Sequence, residues 1–213
     1  VKNLLIVFFY DKGKTKNLII KDEYFPLMVK KITKNLTRAF LCITFPDEVI
    51  KEIARIQEIL SDIKFTGKLT ELENLHLTLK FLGEIEDGKI EEIKNRLSKL
   101  KFDAFEAKLL NMGTFCNRSM PRIVWVKIGG AGIFELQKQV DDILGDLFKK
   151  EERFMSHMTI ARVKHVSDSR NFKNYIKNMA LREVRFNVSS LVFMKSELGR
   201  TGPRYTEMYK VSL

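Results

Sequence analysis

One short pattern occurs twice in this chain: His76-Leu77-Thr78-Leu79 returns 81 positions later as His157-Met158-Thr159-Ile160. Each copy lies in a run that alternates polar and apolar residues, the period of a half-buried β-strand. In the first, Leu75, Leu77, Leu79 and Phe81 share one face, and Asn74, His76, Thr78 and Lys80 share the other. In the second, Met158 and Ile160 take the apolar side, with His157 and Thr159 opposite. A slip of one residue would turn the apolar set toward water, so the hydrophobic face fixes the register. That register delivers an imidazole and a hydroxyl together to the other face. A duplicated half, giving two similar lobes, explains the echo. If the lobes face each other, two histidines and two threonines meet across one cleft.

Such a set suits phosphoryl chemistry. A neutral imidazole can take a proton from an attacking water, and a protonated one can give a proton to a leaving oxygen. Both forms are accessible near neutrality because histidine titrates at about pH 6.5. Threonine hydroxyls can donate to non-bridging oxygens where charge develops. A single copy would read as structural. Two copies use two of the three histidines in the chain, which favours function. Metal catalysis is the rival reading, but no cysteine or carboxylate sits at ligand spacing beside either histidine, so no metal and no cofactor are expected. His165 follows the second strand and reads as a solvated loop residue.

The rest of the chain reads as mixed elements. Arg38 to Phe45 is a strand, and Pro46-Asp47 opens a helix carrying Val49, Ile50, Ile53, Ile56 and Leu60. Residues 74–82 form a strand, Gly83 to Gly88 a turn, and Ile90, Ile93, Leu97 and Leu100 mark a second helix. Strands follow at 123–128, 155–163, 184–189, 190–195 and 205–211, with helices around 134–147 and 171–177. Strict βαβ repetition is missing, so the fold class is α+β.

Residues 1–35 differ from the remainder, with eight lysines and three acids. They read as a basic N-terminal extension, one strand or a flexible arm, ahead of a domain over 36–213. No apolar run approaches the ~20 residues that span a bilayer. The net charge of +11 suits a polyanionic partner such as nucleic acid, and equally simple solubility. Cys42 and Cys116 have no CxxC spacing. They read as reduced thiols of a cytoplasmic protein, Cys42 buried within Phe40-Leu41-Cys42-Ile43.

The paired motifs resemble those of the RNA 2′,3′-cyclic phosphodiesterases, also called 2′-5′ RNA ligases, of the 2H phosphoesterase superfamily. Arg38-Ala39-Phe40, Asn74 through Gly83, Val124-Trp125-Val126, His157 through Val163, Lys195 through Leu198 and Gly202 through Tyr205 carry the resemblance in order. It spans about residues 36–213. It implies a bilobed fold, with an antiparallel sheet in each lobe, outer helices and pseudo-two-fold symmetry around a central cleft. It implies hydrolysis of a 2′,3′-cyclic phosphate to a 2′-phosphate, with His76 as proton donor to the 3′ oxygen and His157 as the base that activates water. Thr78 and Thr159 would bind the phosphate. The reverse reaction would be an ATP-independent 2′-5′ ligation. RNA with cyclic phosphate ends, such as tRNA fragments, would be the partner of a monomeric enzyme.

Further substrate contacts are expected from Arg162, Arg38, Lys80 and Tyr205. Strict alternation puts Arg162 on the face opposite His157, so it reaches the cleft only if the strand ends or bulges near Ala161. Lys80 shares the His76 face. Tyr205 can stack on a base, whereas Phe81 falls on the core face and reads as packing. The family has proline where Ser156 precedes the second motif, a difference expected to alter the start of the strand and not the chemistry. Two other functions fit the pattern: a 2H enzyme acting on another substrate, such as a cyclic nucleotide, ADP-ribose cyclic phosphate or a 2′-5′ oligonucleotide, or a non-catalytic RNA-binding module.

Overall fold

The structure is a computed structural model that describes residues 4–11, 14–21, 36–200 and 202–213. Contacts divide the chain into two units, Val1–Leu36 and Thr37–Leu213. In the first, β1 (Leu4–Asp11) and β2 (Lys14–Lys21) pair antiparallel, from Leu4 opposite Lys21 to Asp11 opposite Lys14. The described residues of this segment thus form two paired strands, where the sequence suggests one; the rest of the expected extension lies outside the described residues.

The second unit begins with β3 (Leu36–Thr44) and α1 (Asp47–Ser61). Pro46 caps α1 in extended geometry, and Asp47 and Glu48 place negative charge in its first turn, where the helix dipole favours it. There follow β4 (Thr66–Leu69), a 3₁₀ turn at Leu72–Asn74, β5 (His76–Glu86) and α2 (Asp87–Leu97). Next come β6 (Phe105–Asn117), β7 (Met120–Gly129), α3 (Ala131–Ile143), β8 (His157–His165) and α4 (Ser169–Asn178). The chain closes with β9 (Arg185–Val188), β10 (Ser190–Leu198) and β11 (Pro203–Ser212). Among the described residues no helix is long and apolar enough to cross a membrane.

The strands of this unit run in the order β11-β10-β3-β5-β8-β7-β6-β9, with β4 beside β8. The two motif strands are therefore neighbours at the centre. β5 and β8 pair antiparallel at Leu77 opposite Met158, and this pair joins two antiparallel halves into one sheet. The α+β class, the antiparallel pairing and the outer helices agree with the sequence reading.

The core lies between one face of the sheet and the helices. Leu41, Leu77, Leu79, Val124, Val126, Met158, Ile160, Leu191 and Phe193 are buried there against Val49, Ile53 and Ile56 of α1, Leu136 and Val140 of α3, and Phe172 and Ile176 of α4. Alternation along the strands and 3.6-residue spacing along the helices produce these matching faces. The opposite sheet face carries a smaller cluster of Phe40, Cys42 and Val192, with Met194 and Tyr205 against it.

Some boundaries differ from the sequence expectation. β5 runs on through Gly83, whose φ of +70° only glycine adopts freely, and the expected turn is strand up to Glu86. Asn74 lies on the 3₁₀ turn, not on the strand. β4 and the long strand β6 were not anticipated.

Candidate active site

His76 opens β5 and His157 opens β8. The Leu77–Met158 pair sets their relation. Extending that antiparallel register by one residue each way puts His76 opposite Thr159 and Thr78 opposite His157, so a near-two-fold axis passes through the pair. Both histidines and both threonines are half-buried, and their strand neighbours Leu77, Leu79, Met158 and Ile160 are fully buried on the other side. The four polar groups thus share one sheet face. Among the described residues neither threonine hydroxyl meets a hydrogen-bond partner.

Each imidazole is oriented in the same way. His76 Nδ1 lies 2.8 Å from the Asn74 carbonyl oxygen, and His157 Nδ1 lies 2.8 Å from that of Met155. A carbonyl only accepts, so each Nδ1 carries a hydrogen and donates it. That leaves Nε2 of each ring to exchange a proton.

Aromatic rings wall in both histidines. Phe40 of β3 lies 4.8 Å from His76 and Tyr205 of β11 lies 5.2 Å from it, edge-on, both between ring centroids. Phe115 of β6 stands edge-on to His157 at 5.0 Å and meets Trp125 at 5.6 Å. Trp125 lies over Gly113, its partner across the ladder; a Cβ there would come within 2.3 Å of the indole ring. Phe115 was missed in the sequence because β6 lacks clean alternation: its register shifts between Leu109 and Met112 and again at Phe115–Cys116.

Burial pushes His76 below the ordinary histidine range. Its hydrogen bond to Asn74 works the other way, and electrostatic coupling to Arg162 and to His157 presses it further down. Burial holds the Tyr205 phenol above its usual value, so it stays a neutral donor, although Arg162 and Arg38 oppose this. Cys42 is fully buried, and that burial drives its thiol far above the usual range.

Arg162 reaches the cleft face because β8 bulges. Val124 pairs with Ala161, but Trp125 pairs with Thr159, which leaves Ile160 as an extra residue. Ile160 and Ala161 are consecutively buried, and Arg162 emerges exposed on the side of His157 and Thr159. β5 steps in the same way: Leu79 and Lys80 are both buried, and Phe81 emerges 66% exposed. Two expectations are corrected here. Lys80 does not share the His76 face; it is 1% exposed and ion-paired with Asp141 of α3, and it donates to the Lys149 carbonyl at 2.7 Å. Phe81 is not core packing; its ring lies 6.3 Å from Phe40 on the cleft side. Both differences arise because β5 buries two consecutive residues, Leu79 and Lys80, where strict alternation would bury one.

Arg38 is exposed on β3, two residues before Phe40, and His165 ends β8 exposed. Ser156 is fully buried at the start of β8; its hydroxyl donates to the Ile128 carbonyl at 2.8 Å and thereby ties the strand to β7. Among the described residues no three His, Cys, Asp or Glu side chains cluster closely enough to hold a metal ion.

Comparison with known proteins gives consistent matches. The family model described as LigT-like phosphoesterase matches residues 43–125 and 128–205. An RNA 2′,3′-cyclic phosphodiesterase of Methanocaldococcus jannaschii is 37% identical over 173 residues, covering 79% of this chain and 96% of that protein. Its counterpart in Aeropyrum pernix is 32% identical, over 76% of this chain and 96% of that protein. Among solved structures, a Thermus thermophilus protein aligns with a TM-score of 0.68 at 26% identity, over 83% of this chain and 97% of that one. Escherichia coli LigT complexed with 3′-AMP aligns with a TM-score of 0.65 at 21% identity, over 84% and 99% respectively, a likeness of fold.

Proposed function

The chain belongs to the LigT-like phosphoesterase family, and from that premise we propose that it hydrolyses the 2′,3′-cyclic phosphodiester at the end of an RNA to a 2′-phosphomonoester. The observation that carries this reading is the matched pair of imidazoles, each with Nδ1 donating to its own chain and Nε2 left to exchange a proton.

In the proposed reaction neutral His157 takes a proton from water, whose oxygen attacks phosphorus. The bond from phosphorus to the 3′ oxygen breaks, and protonated His76 gives its proton to that oxygen, leaving the phosphate on the 2′ position. Thr78 and Thr159 donate to the non-bridging oxygens, and Arg162 offsets their charge. The protein by itself disfavours positive charge on His76 because burial and Arg162 both oppose it. A bound phosphodiester anion counters Arg162, so the acid form of His76 is created together with the substrate complex. Tyr205 and Phe81 offer aromatic surfaces to a base, and Arg38 a cation to the RNA backbone. With a 5′-hydroxyl in place of water as nucleophile, the same groups join a cyclic phosphate end to it through a 2′-5′ linkage: His157 takes the hydroxyl proton, the bond from phosphorus to the 3′ oxygen breaks, and His76 protonates that oxygen. tRNA fragments are the RNAs we propose, acted on by a monomer.

The test is incubation of the protein with an RNA ending in a 2′,3′-cyclic phosphate, in the presence of EDTA. A 2′-phosphate end is expected. An unchanged cyclic end would reject the reading.

A further inference from the structure

We propose that Gln57 and Gly67, which lie outside both histidine–threonine motifs, are positioning residues that hold the bulge at Ile160 and so keep Arg162 in the cleft. This rests on the reading of Arg162 as the charge that meets the substrate phosphate.

A bulge needs support, because the extra residue's backbone groups lose their places in the ladder. Here the Ile160 carbonyl oxygen accepts from Thr70 N at 2.9 Å and from Gln57 Nε2 at 2.9 Å. Gln57 Nε2 also donates to the Thr70 carbonyl at 2.7 Å. Gln57 projects from α1, is 6% exposed, and directs its amide group at Ile160, where the pairing of β8 with β7 shifts register. An apolar side chain here would remove one of the two bonds to the Ile160 carbonyl and the side-chain bond to the Thr70 carbonyl.

Gly67 acts from the other edge. β4 pairs with β8 through Gly67 opposite Val163, Lys68 opposite Arg162 and Leu69 opposite Ala161. A Cβ on Gly67 would stand 2.3 Å from the Arg162 carbonyl oxygen, a backbone atom that cannot swing aside. The edge strand can therefore embrace the bulged segment only with glycine at this point. If the bulge were lost, period-two alternation would turn Arg162 to the core side and Ala161 to the cleft.

The experiment reads Arg162 through His76. The charged and titratable groups around His76 are Arg162 and His157 on β8 and Tyr205 on β11, with Arg38 and Cys42 of β3 and Glu71 acting on Tyr205. Removing or turning away Arg162 lifts one of the charges that press His76 down, so its titration moves to higher pH. NMR titration of the His76 ring and binding of inorganic phosphate would be followed in Gln57→Leu, Gly67→Ala, Arg162→Met and Gln57→Leu/Arg162→Met. Gln57→Leu and Gly67→Ala should each shift His76 upward, in the direction of Arg162→Met. Each should weaken phosphate binding about tenfold, the order of one charge-assisted hydrogen bond. The double variant should add nothing to Arg162→Met. A His76 titration left at its wild-type position in both Gln57→Leu and Gly67→Ala would overturn the proposal. So would a further shift in the double variant. Gly67 is exposed on an edge strand, so its variant reads the bulge even where loss of the Gln57 bonds unfolds the chain. Neither measurement needs turnover. Failure of the cyclic phosphate assay with these shifts intact would reject the proposed reaction and leave the positioning role standing.

Discussion

Strands β5 and β8 start alike and end differently. Each begins with a histidine, buries the next residue, presents a threonine, buries two residues in a row and then exposes one. In β5 the second buried residue is Lys80 and the exposed one is Phe81; in β8 they are Ala161 and Arg162. The devices that hold the step also differ. β5 sends a cation into the core to meet Asp141, which also accepts from Gln137 Nε2 at 2.7 Å and Glu151 N at 2.9 Å. β8 sends in a methyl group, and Gln57 approaches from α1 to bond the Ile160 carbonyl. The same backbone step thus places an aromatic ring at one corner of the cleft and a guanidinium at the other. The matched part of each strand carries the acid–base groups, and the unmatched part distinguishes the two sides.

The largest test of the matched part is removal of each histidine. His76→Ala and His157→Ala should each lower kcat for a cyclic-phosphate RNA by about 100-fold or more. Near-wild-type turnover in either variant would mean that the two strands do not share the chemistry. On the unmatched part, Lys80→Met should destabilise the fold by about 3–5 kcal/mol, because it leaves the buried Asp141 carboxylate without its counter-charge, its bonds from Gln137 and Glu151 notwithstanding. Urea denaturation measures this, and restoration of stability in Lys80→Met/Asp141→Leu would assign the loss to the orphaned charge. The threonines return to the matched part: Thr78→Val and Thr159→Val should each lower kcat by about 10- to 100-fold, within a few-fold of one another. A loss confined to one of them would show that the phosphate sits off the axis.

The smallest effect is a displacement in pH. Arg162→Met should carry the His76-dependent limb of the kcat/KM profile to higher pH, since a positive charge that disfavours the imidazolium has gone. Phe81→Leu should leave that limb where it is. Movement of the limb by Phe81→Leu, or its absence in Arg162→Met, would erase the distinction between the two corners.

The histidine–threonine faces were legible in the sequence because an apolar face opposite them allows only one register. The helix after Pro46 was legible for a similar reason, its apolar residues recurring at helical spacing. The step after each motif was not legible. It depends on groups far away in the chain: Asp141 for Lys80, and Gln57 for Ile160. Strand β4 was hidden by its length of four residues and by Gly67, and β6 by two register shifts that break its alternation. Tyr205 and Phe115 reach the histidines only through sheet order, which no local pattern encodes.

The near-two-fold axis through Leu77 and Met158 bears on regioselectivity. A ribose cyclic phosphate is itself nearly symmetric, with its 2′ and 3′ oxygens on either side of phosphorus. Turned half a revolution about that axis, it would meet an equivalent set of histidines and threonines with the two oxygens exchanged, and the proposed hydrolysis would then leave a 3′-phosphate. The acid–base groups alone do not choose between these products. The choice falls to the residues that break the symmetry: Arg162 against Phe81, and Tyr205 against Phe115.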